Sequence, residues 1–181
     1  MRQVGGIEPL AADHELDAFD GGSDAQTVWV RQHARQAHGS GGARIFVVCR
    51  AESRAVLGYY ALAAGSVERE TAPPRITKGL GRYPIPVVIL TRLGVDLSEQ
   101  GRGLGSALLR DAFLQVALIA EKVGVRALLI HAETPAAAEC YQRLDEGFDS
   151  SPTEPLHLIL LIKDLRRAIR DAAGDRQTSE G

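Results

Sequence analysis

The chain has 181 residues, 45% of them hydrophobic and 24% charged, with a formal net charge of −2, which suits one compact domain with a sizeable core. No apolar run approaches the ~18 residues of a membrane span, and the start, Met1-Arg2-Gln3-Val4-Gly5-Gly6, lacks the apolar stretch of a signal peptide. Cys49 and Cys140 have neither metal-ligand spacing nor the pattern of a disulfide framework, so a reducing cytoplasm is expected.

In chain order, residues 4–10 read as a short edge strand ended by Pro9, and Asp13-His14-Glu15-Leu16 as a short helix with Asp13 as its N-cap. Ser23 or Asp24 caps a helix expected to reach His38, where Gly39-Ser40-Gly41-Gly42 stops it. His33 and His38 have no carboxylate or cysteine spaced with them and read as surface or satisfied core histidines. Residues 43–50 and 55–64 form two strands around a Glu52-Ser53-Arg54 turn. Residues 65–86, with Pro73, Pro74, Gly79, Gly81, Pro84 and Pro86, form an irregular connection whose length marks it as functional or mobile.

Residues 87–95 are the most buried-looking strand, and a helix from Gly103 to Val123 follows, with Leu104, Ala107, Leu108, Leu114, Ala117, Leu118 and Ala120 on its expected buried face. A strand at 127–131 leads into a helix capped by Glu133 or Thr134, with Pro135 at its first position, running through Tyr141 to about Leu144. A last strand spans 156–162, a charged helix 163–173, and residues 174–181 read as a disordered polar tail. There is no internal repeat and no linker, so residues 1–173 are expected to be a single domain. Strands interleaved with helices imply an α/β fold with a mixed central sheet and helices on both faces.

Charge is unevenly spread. Between Arg31 and Arg92 ten basic residues face three acids, a surplus of +7, so the rest of the chain carries −9. Either a basic face meets a polyanion or surface arginines are scattered by the fold. Arg69, Arg75, Lys78 and Arg82 in the long connection make it the best candidate for a polyanion surface.

Between the buried strand and the long helix stands Gln100-Gly101-Arg102-Gly103-Leu104-Gly105-Ser106. A glycine-rich turn at a helix start presents unpaired N–H groups and the positive end of the helix dipole, which together suit a phosphate. The nucleoside-triphosphate P-loop is absent, because no lysine follows the glycines, and the dinucleotide fingerprint fails at its third glycine, where Ser106 stands. Gln-x-x-Gly-x-Gly fits, as Gln100, Gly103 and Gly105.

That pattern, in its strand-to-helix setting, resembles the acetyl-CoA loop of the GNAT superfamily of N-acetyltransferases. Further stretches resemble one branch of it: Pro9-Leu10 with His14 and Phe19-Asp20; Arg31-Gln32-His33-Ala34; Gly58-Tyr59-Tyr60-Ala61-Leu62; Arg92-Leu93-Gly94-Val95-Asp96; Arg102 to Ala112; and Ser151-Pro152-Thr153-Glu154-Pro155-Leu156. The branch is the toxins of bacterial type II toxin–antitoxin pairs, which acetylate the amino group of aminoacyl-tRNA, and the similarity covers nearly the whole chain apart from the tail.

The resemblance implies acetyl transfer from acetyl-CoA to a primary amine with no metal, a ribbon-helix-helix antitoxin partner and a homodimer. The backbone of Gln100, Gly101, Arg102, Gly103, Leu104, Gly105 and Ser106 would cradle the pyrophosphate, and Leu93, Gly94 and Val95 would pair with the pantetheine amides. Tyr141 matches the family's general acid, a hydroxyl able to protonate the leaving thiolate. Arg75, Lys78, Arg82 and Arg92 are the candidates for tRNA contact. Two departures stand out. Tyr141-Gln142-Arg143-Leu144-Asp145-Glu146-Gly147-Phe148 is two residues longer than the family's Tyr-to-Gly-Phe spacing, and Gly22-Ser23-Asp24-Ala25-Gln26-Thr27 differs from the branch. The competing readings are a GNAT enzyme for a small-molecule amine or a protein N-terminus, and a non-catalytic CoA-binding module.

Overall fold

The computed structural model describes residues 4–178. In chain order it contains β1 (Val4–Pro9), α1 (Asp24–Gln32), α2 (Ala34–Ser40), β2 (Arg44–Arg50), β3 (Val56–Val67), α3 (Pro74–Thr77), β4 (Ile85–Val95), α4 (Leu104–Ala120), β5 (Ala127–His131), α5 (Pro135–Leu144), β6 (Asp149–Ser150), β7 (His157–Leu161) and α6 (Ile162–Thr178). The strands hydrogen-bond in the order β1-β2-β3-β4-β5-β7-β6, the sheet of an α/β fold. The chain divides into two compact units: residues up to Ala63 with Leu90–Ala112, and Ala64–Ile89 with the residues from Phe113 on.

In the first unit β1 pairs antiparallel with β2, and β2 with β3. The unit's core gathers Leu16, Phe19, Val30, Ile45, Val47 and Tyr59. The Tyr59 ring meets Phe19 edge-on at 5.4 Å and stacks on Trp29 at 5.9 Å. Its hydroxyl donates to Gln26 Oε1 at 2.5 Å, so the buried polar tip is satisfied. Tyr60 stacks on Phe46 at 4.9 Å and donates to Asp111 at 2.5 Å.

Two expectations fail here for tertiary reasons. Residues 13–16 form no helix: Glu15 bridges to Ala55, its N–H donating to the Arg54 carbonyl at 2.8 Å and its carbonyl accepting from Val56 at 3.0 Å. A four-residue helix would leave almost all its backbone groups unpaired, so the bridge wins, and Asp13 pairs with Arg54 instead of capping. The helix expected to end at His38 is broken at His33 (φ −119°, ψ −21°) into α1 and α2, and the second part runs on to Ser40 before Gly41 turns left-handed at φ +78°. Ser23 caps α1 as anticipated.

In the second unit β5 and β6 each pair antiparallel with β7. Val67, Ile76, Ile85, Val87, Leu129, Ile159 and Leu161 pack as its core. The connection after β3 is partly ordered, by a 3-10 turn at Arg69–Thr71 and by α3 with Pro74 at its first turn. The Arg69 guanidinium donates to the Leu80 and Gly81 carbonyls at 3.1 and 2.6 Å and holds the loop after α3. The tail expectation also changes. α6 runs through Gly174 to Thr178, because extending a formed helix gains a hydrogen bond per residue and one glycine costs only about 1 kcal/mol. The remaining tail residues, 179–181, lie outside the described ones.

α4 ends at Ala120 rather than Val123, and its buried stripe is Leu104, Leu108, Ala112 and Val116 with Leu109 and Phe113. The expected Leu114 and Leu118 are instead 46% and 53% exposed. Residues spaced by four share a face, and the continuous run of leucines and alanines offered more than one such stripe.

Candidate active site

β4 ends in a braced turn. The Asp96 carboxylate accepts from the Asp20 N–H at 2.9 Å, the Ser98 N–H at 3.0 Å and the Ser98 hydroxyl at 2.6 Å. Gln100 then donates its side-chain amide to the Gly21 and Val95 carbonyls at 3.0 and 2.9 Å. The glutamine of the motif is therefore a brace for the loop, with its amide donor engaged by the protein itself.

Gly101 and Gly103 follow with φ of +73° and +82°. A Cβ on Gly101 would meet nothing within 4 Å, so the backbone angle rather than crowding calls for glycine there. The Gly103 carbonyl accepts the Ala107 N–H at 3.1 Å and opens α4. The N–H groups of Leu104, Gly105 and Ser106 consequently have no acceptor within the helix and sit at its positive end. A helix start of this kind is the geometry on which the expected anion seat depends. Arg102 lies 3.6 Å from Glu99.

Upstream, Leu93 and Val95 are half-buried and Gly94 is buried. Here glycine is a packing requirement: a Cβ on Gly94 would stand 2.7 Å from Tyr59 Cε1 and 3.3 Å from Phe19 Cζ. The Arg92 guanidinium lies 4.9 Å from the Trp29 ring centroid, a cation–π contact.

Tyr141 sits on α5, which starts with Thr134 accepting the Ala137 N–H at 3.1 Å and Pro135 in the first turn. Burial, followed by Cys140 and Glu133, pushes its hydroxyl up to about 12, and that hydroxyl makes no hydrogen bond to another described residue. A proton held this firmly remains on the oxygen at neutral pH. The two extra residues after Tyr141 do not lengthen the helix. α5 stops at Leu144, and the Asp145 carboxylate accepts the Gly147 N–H at 2.6 Å in an Asp-closed turn. Cys140 is an exposed free thiol, whereas the buried Cys49 thiol donates to the Arg54 carbonyl at 3.6 Å.

The four tRNA candidates meet different fates. Arg75 is engaged by Asp149 at 2.9 Å and Asp164 at 2.6 Å. Lys78 lines the same cavity as Arg75, Arg82 is exposed, and Arg92 is on Trp29. Several features escaped the sequence reading. Nothing local in the sequence marks Trp29 as the partner of Arg92. Arg126 and the pair Lys163 and Arg166, which join Arg75 and Lys78 around the cavity, come from segments far apart in sequence. His131 and His157 stack across β5 and β7 with centroids 4.1 Å apart.

Among the described residues one trio, Glu8, His14 and Cys49, brings metal-type ligand atoms within 4.8 Å of one another. His14 Nδ1 accepts the Ala11 N–H at 2.8 Å, and its Nε2 lies 2.8 Å from Glu8 Oε1 and 2.6 Å from Arg54 Nη2. The Arg54 guanidinium bonds Glu8 at 2.7 Å and is itself the cation of this cluster.

No protein-family model matches the sequence. A tRNA-acetylating toxin of Mycobacterium tuberculosis (strain ATCC 25618 / H37Rv) is 45% identical over 157 residues, spanning 87% of this chain and 92% of its own. The structure of AtaT complexed with acetyl-methionyl-tRNAfMet superposes with a TM-score of 0.82 at 30% identity, over 90% of this chain and 97% of that one. A tyrosine-to-phenylalanine variant of AtaT, bound to the C-terminus of the antitoxin AtaR and acetyl-CoA, superposes with a TM-score of 0.77 at 29% identity, over 90% and 96%. With this relative and this fold, the chain belongs to the tRNA-acetylating toxins, a toxin–antitoxin branch of the GNAT superfamily.

Proposed function

We propose that this chain is an acetyl-CoA-dependent N-acetyltransferase that acetylates the amino group of aminoacyl-tRNA and so blocks translation. The observation that carries the donor half is the open turn at 101–106, with two left-handed glycines ahead of unpaired α4 amides. Those amides bind the pyrophosphate of acetyl-CoA, and Leu93, Gly94 and Val95 offer backbone groups to the pantetheine. The acceptor half rests on the family and on the cations Lys78, Arg82 and Arg92, with Arg75 held by its aspartates.

Tyr141 is the general acid. The neutral α-amino nitrogen attacks the thioester carbonyl carbon, the C–S bond of the tetrahedral intermediate breaks, and the thiolate takes the Tyr141 hydroxyl proton. Water removes the proton lost by the amine, and the tyrosinate is reprotonated from solvent. A small DNA-binding antitoxin of ribbon-helix-helix type holds the toxin in check, the toxin is a homodimer acting in the cytoplasm, and residues 1–173 act as one acetyltransferase domain.

Induced expression of the parent chain is expected to arrest growth, with N-acetylated aminoacyl-tRNA detectable by mass spectrometry. Tyr141→Phe should lose about 100- to 10,000-fold in acetyl-transfer rate and spare growth. Undiminished transfer by that variant would remove Tyr141 from the chemistry.

A further inference from the structure

We propose that the second unit carries a dedicated seat for tRNA backbone phosphates, formed by Lys78, Arg126, Lys163 and Arg166. A cavity of about 520 Å³ is walled by these four side chains together with Arg75, and no acidic residue lines it. Collecting cations around a concavity raises the local potential and costs mutual repulsion, unless an anion is to enter.

The charges are not all alike. Arg75 is offset by Asp149 and Asp164. Arg126 is fixed by neutral acceptors: its guanidinium donates to the Ile76 and Lys78 carbonyls at 3.0 Å each and to the Arg75 carbonyl at 3.4 Å. Arg126 therefore keeps its full charge in a set position. Among the described residues Lys78, Lys163 and Arg166 form no ion pair. Lys163 and Arg166 stand one turn apart at the start of α6, so the positive end of a 17-residue helix adds to the wall. The first-turn acid, Asp164, is occupied by Arg75 and Arg167.

The lining also says which part of a nucleic acid enters. Its remaining residues, Ala120, Val125, Leu161 and Ile162, are aliphatic, so there is no aromatic platform on which a base could stack. Nor does the lining contain a side-chain amide or hydroxyl for reading base edges. A rim of cations over an aliphatic floor suits the phosphodiester backbone, which gives affinity and orientation without sequence preference. The seat flanks the N-terminal end of β5, whereas α5, carrying Tyr141, begins beyond the C-terminal end of that strand. It is an anchor apart from the reacting group, and its identity as a tRNA seat rests on the proposed acceptor.

The test uses the full chain with Lys163→Gln and Arg166→Gln combined; both side chains are exposed, so the fold is retained. Charged tRNA should bind about tenfold more weakly at low salt, and the slope of log affinity against log salt should become shallower by roughly 2, about 0.9 per lost phosphate contact. The KM for acetyl-CoA should stay at the parent value, and Lys163→Arg with Arg166→Lys should restore both tRNA readouts. An unchanged tRNA affinity and salt slope would overturn the seat. So would a defect seen only with inorganic pyrophosphate, which would mark a free-anion site, or only in inhibition by the antitoxin, which would mark an acidic peptide site. If the parent chain acetylates no charged tRNA, the proposed function fails; if it does and the variant binds as the parent, only the seat fails.

Discussion

In the first unit arginines are building material. Arg31 donates to the Phe19 carbonyl at 2.9 Å, Arg35 to the carbonyls of Ala11 and His14, and Arg44 to the His38 carbonyl at 3.2 Å. Arg54 ties Glu8 to Asp13, and Arg92 lies on Trp29. The second unit uses Arg69, Arg75 and Arg126 in the same way, yet leaves Lys78, Lys163 and Arg166 around a cavity without an ion pair among the described residues. A surplus of +7 in the sequence thus measured two things at once. Arg31, Arg35, Arg44 and Arg69 satisfy backbone carbonyls, where a guanidinium's several donors fit better than an ammonium. The cations that line the cavity lie partly outside the segment that the charge count singled out.

The sharpest test of the closed first unit is Gly94→Ala. The new methyl would overlap Tyr59, whose ring is held by Phe19, Trp29 and Gln26. A loss of about 1–3 kcal/mol is expected in denaturant unfolding; unchanged stability would show that the aromatic cluster yields. A paired experiment compares the two uses of positive charge directly. Arg54→Gln should lower Tm and leave the salt dependence of tRNA binding alone, whereas Lys78→Gln should leave Tm alone and weaken tRNA binding about threefold at low salt. If both variants act on the same readout, the distinction between the units collapses.

Arg54→Gln also has a pH signature. His14 and then Arg54 hold the Glu8 carboxyl below its ordinary 4.5, and Arg54 holds Asp13 below 3.8. Stability from these groups is present above those values and is lost as pH falls through the lowered ones, so the variant should show a weaker acid-side loss. The smallest effect belongs to His131→Gln. Burial, then the neighbouring His157, holds His131 below 6.5. The unfolded chain therefore takes up the proton first, and stability falls as pH drops below 6.5. Removing the imidazole should flatten stability between about pH 7 and 5; an unchanged profile would mean that the stacked pair is not what titrates.

Some of this was legible from the chain alone because the governing interactions are local. Gly101 and Gly103 turn left-handed within a few residues, Thr134 and Pro135 start α5, and strands 127–131 and 157–161 announce themselves as apolar runs. Such features depend on backbone angles and neighbours one turn away, and they sufficed to place the glycine loop and Tyr141 in their strand–helix context. Gln100 was recognised as part of the motif, but its role as a brace depends on Gly21, far off in sequence. The missing helix at 13–16, the break at His33 and the outward Leu114 and Leu118 were likewise set by partners that no local pattern names. The same holds for the charges. Whether an arginine satisfies a carbonyl, pairs with an aspartate or lines a cavity is decided by which distant groups folding brings within about 3 Å, because hydrogen bonds act only over that range. The sequence carried the motif, the fold class and the family; only the tertiary structure sorted the cations into those that hold the protein together and those without an ion pair among the described residues.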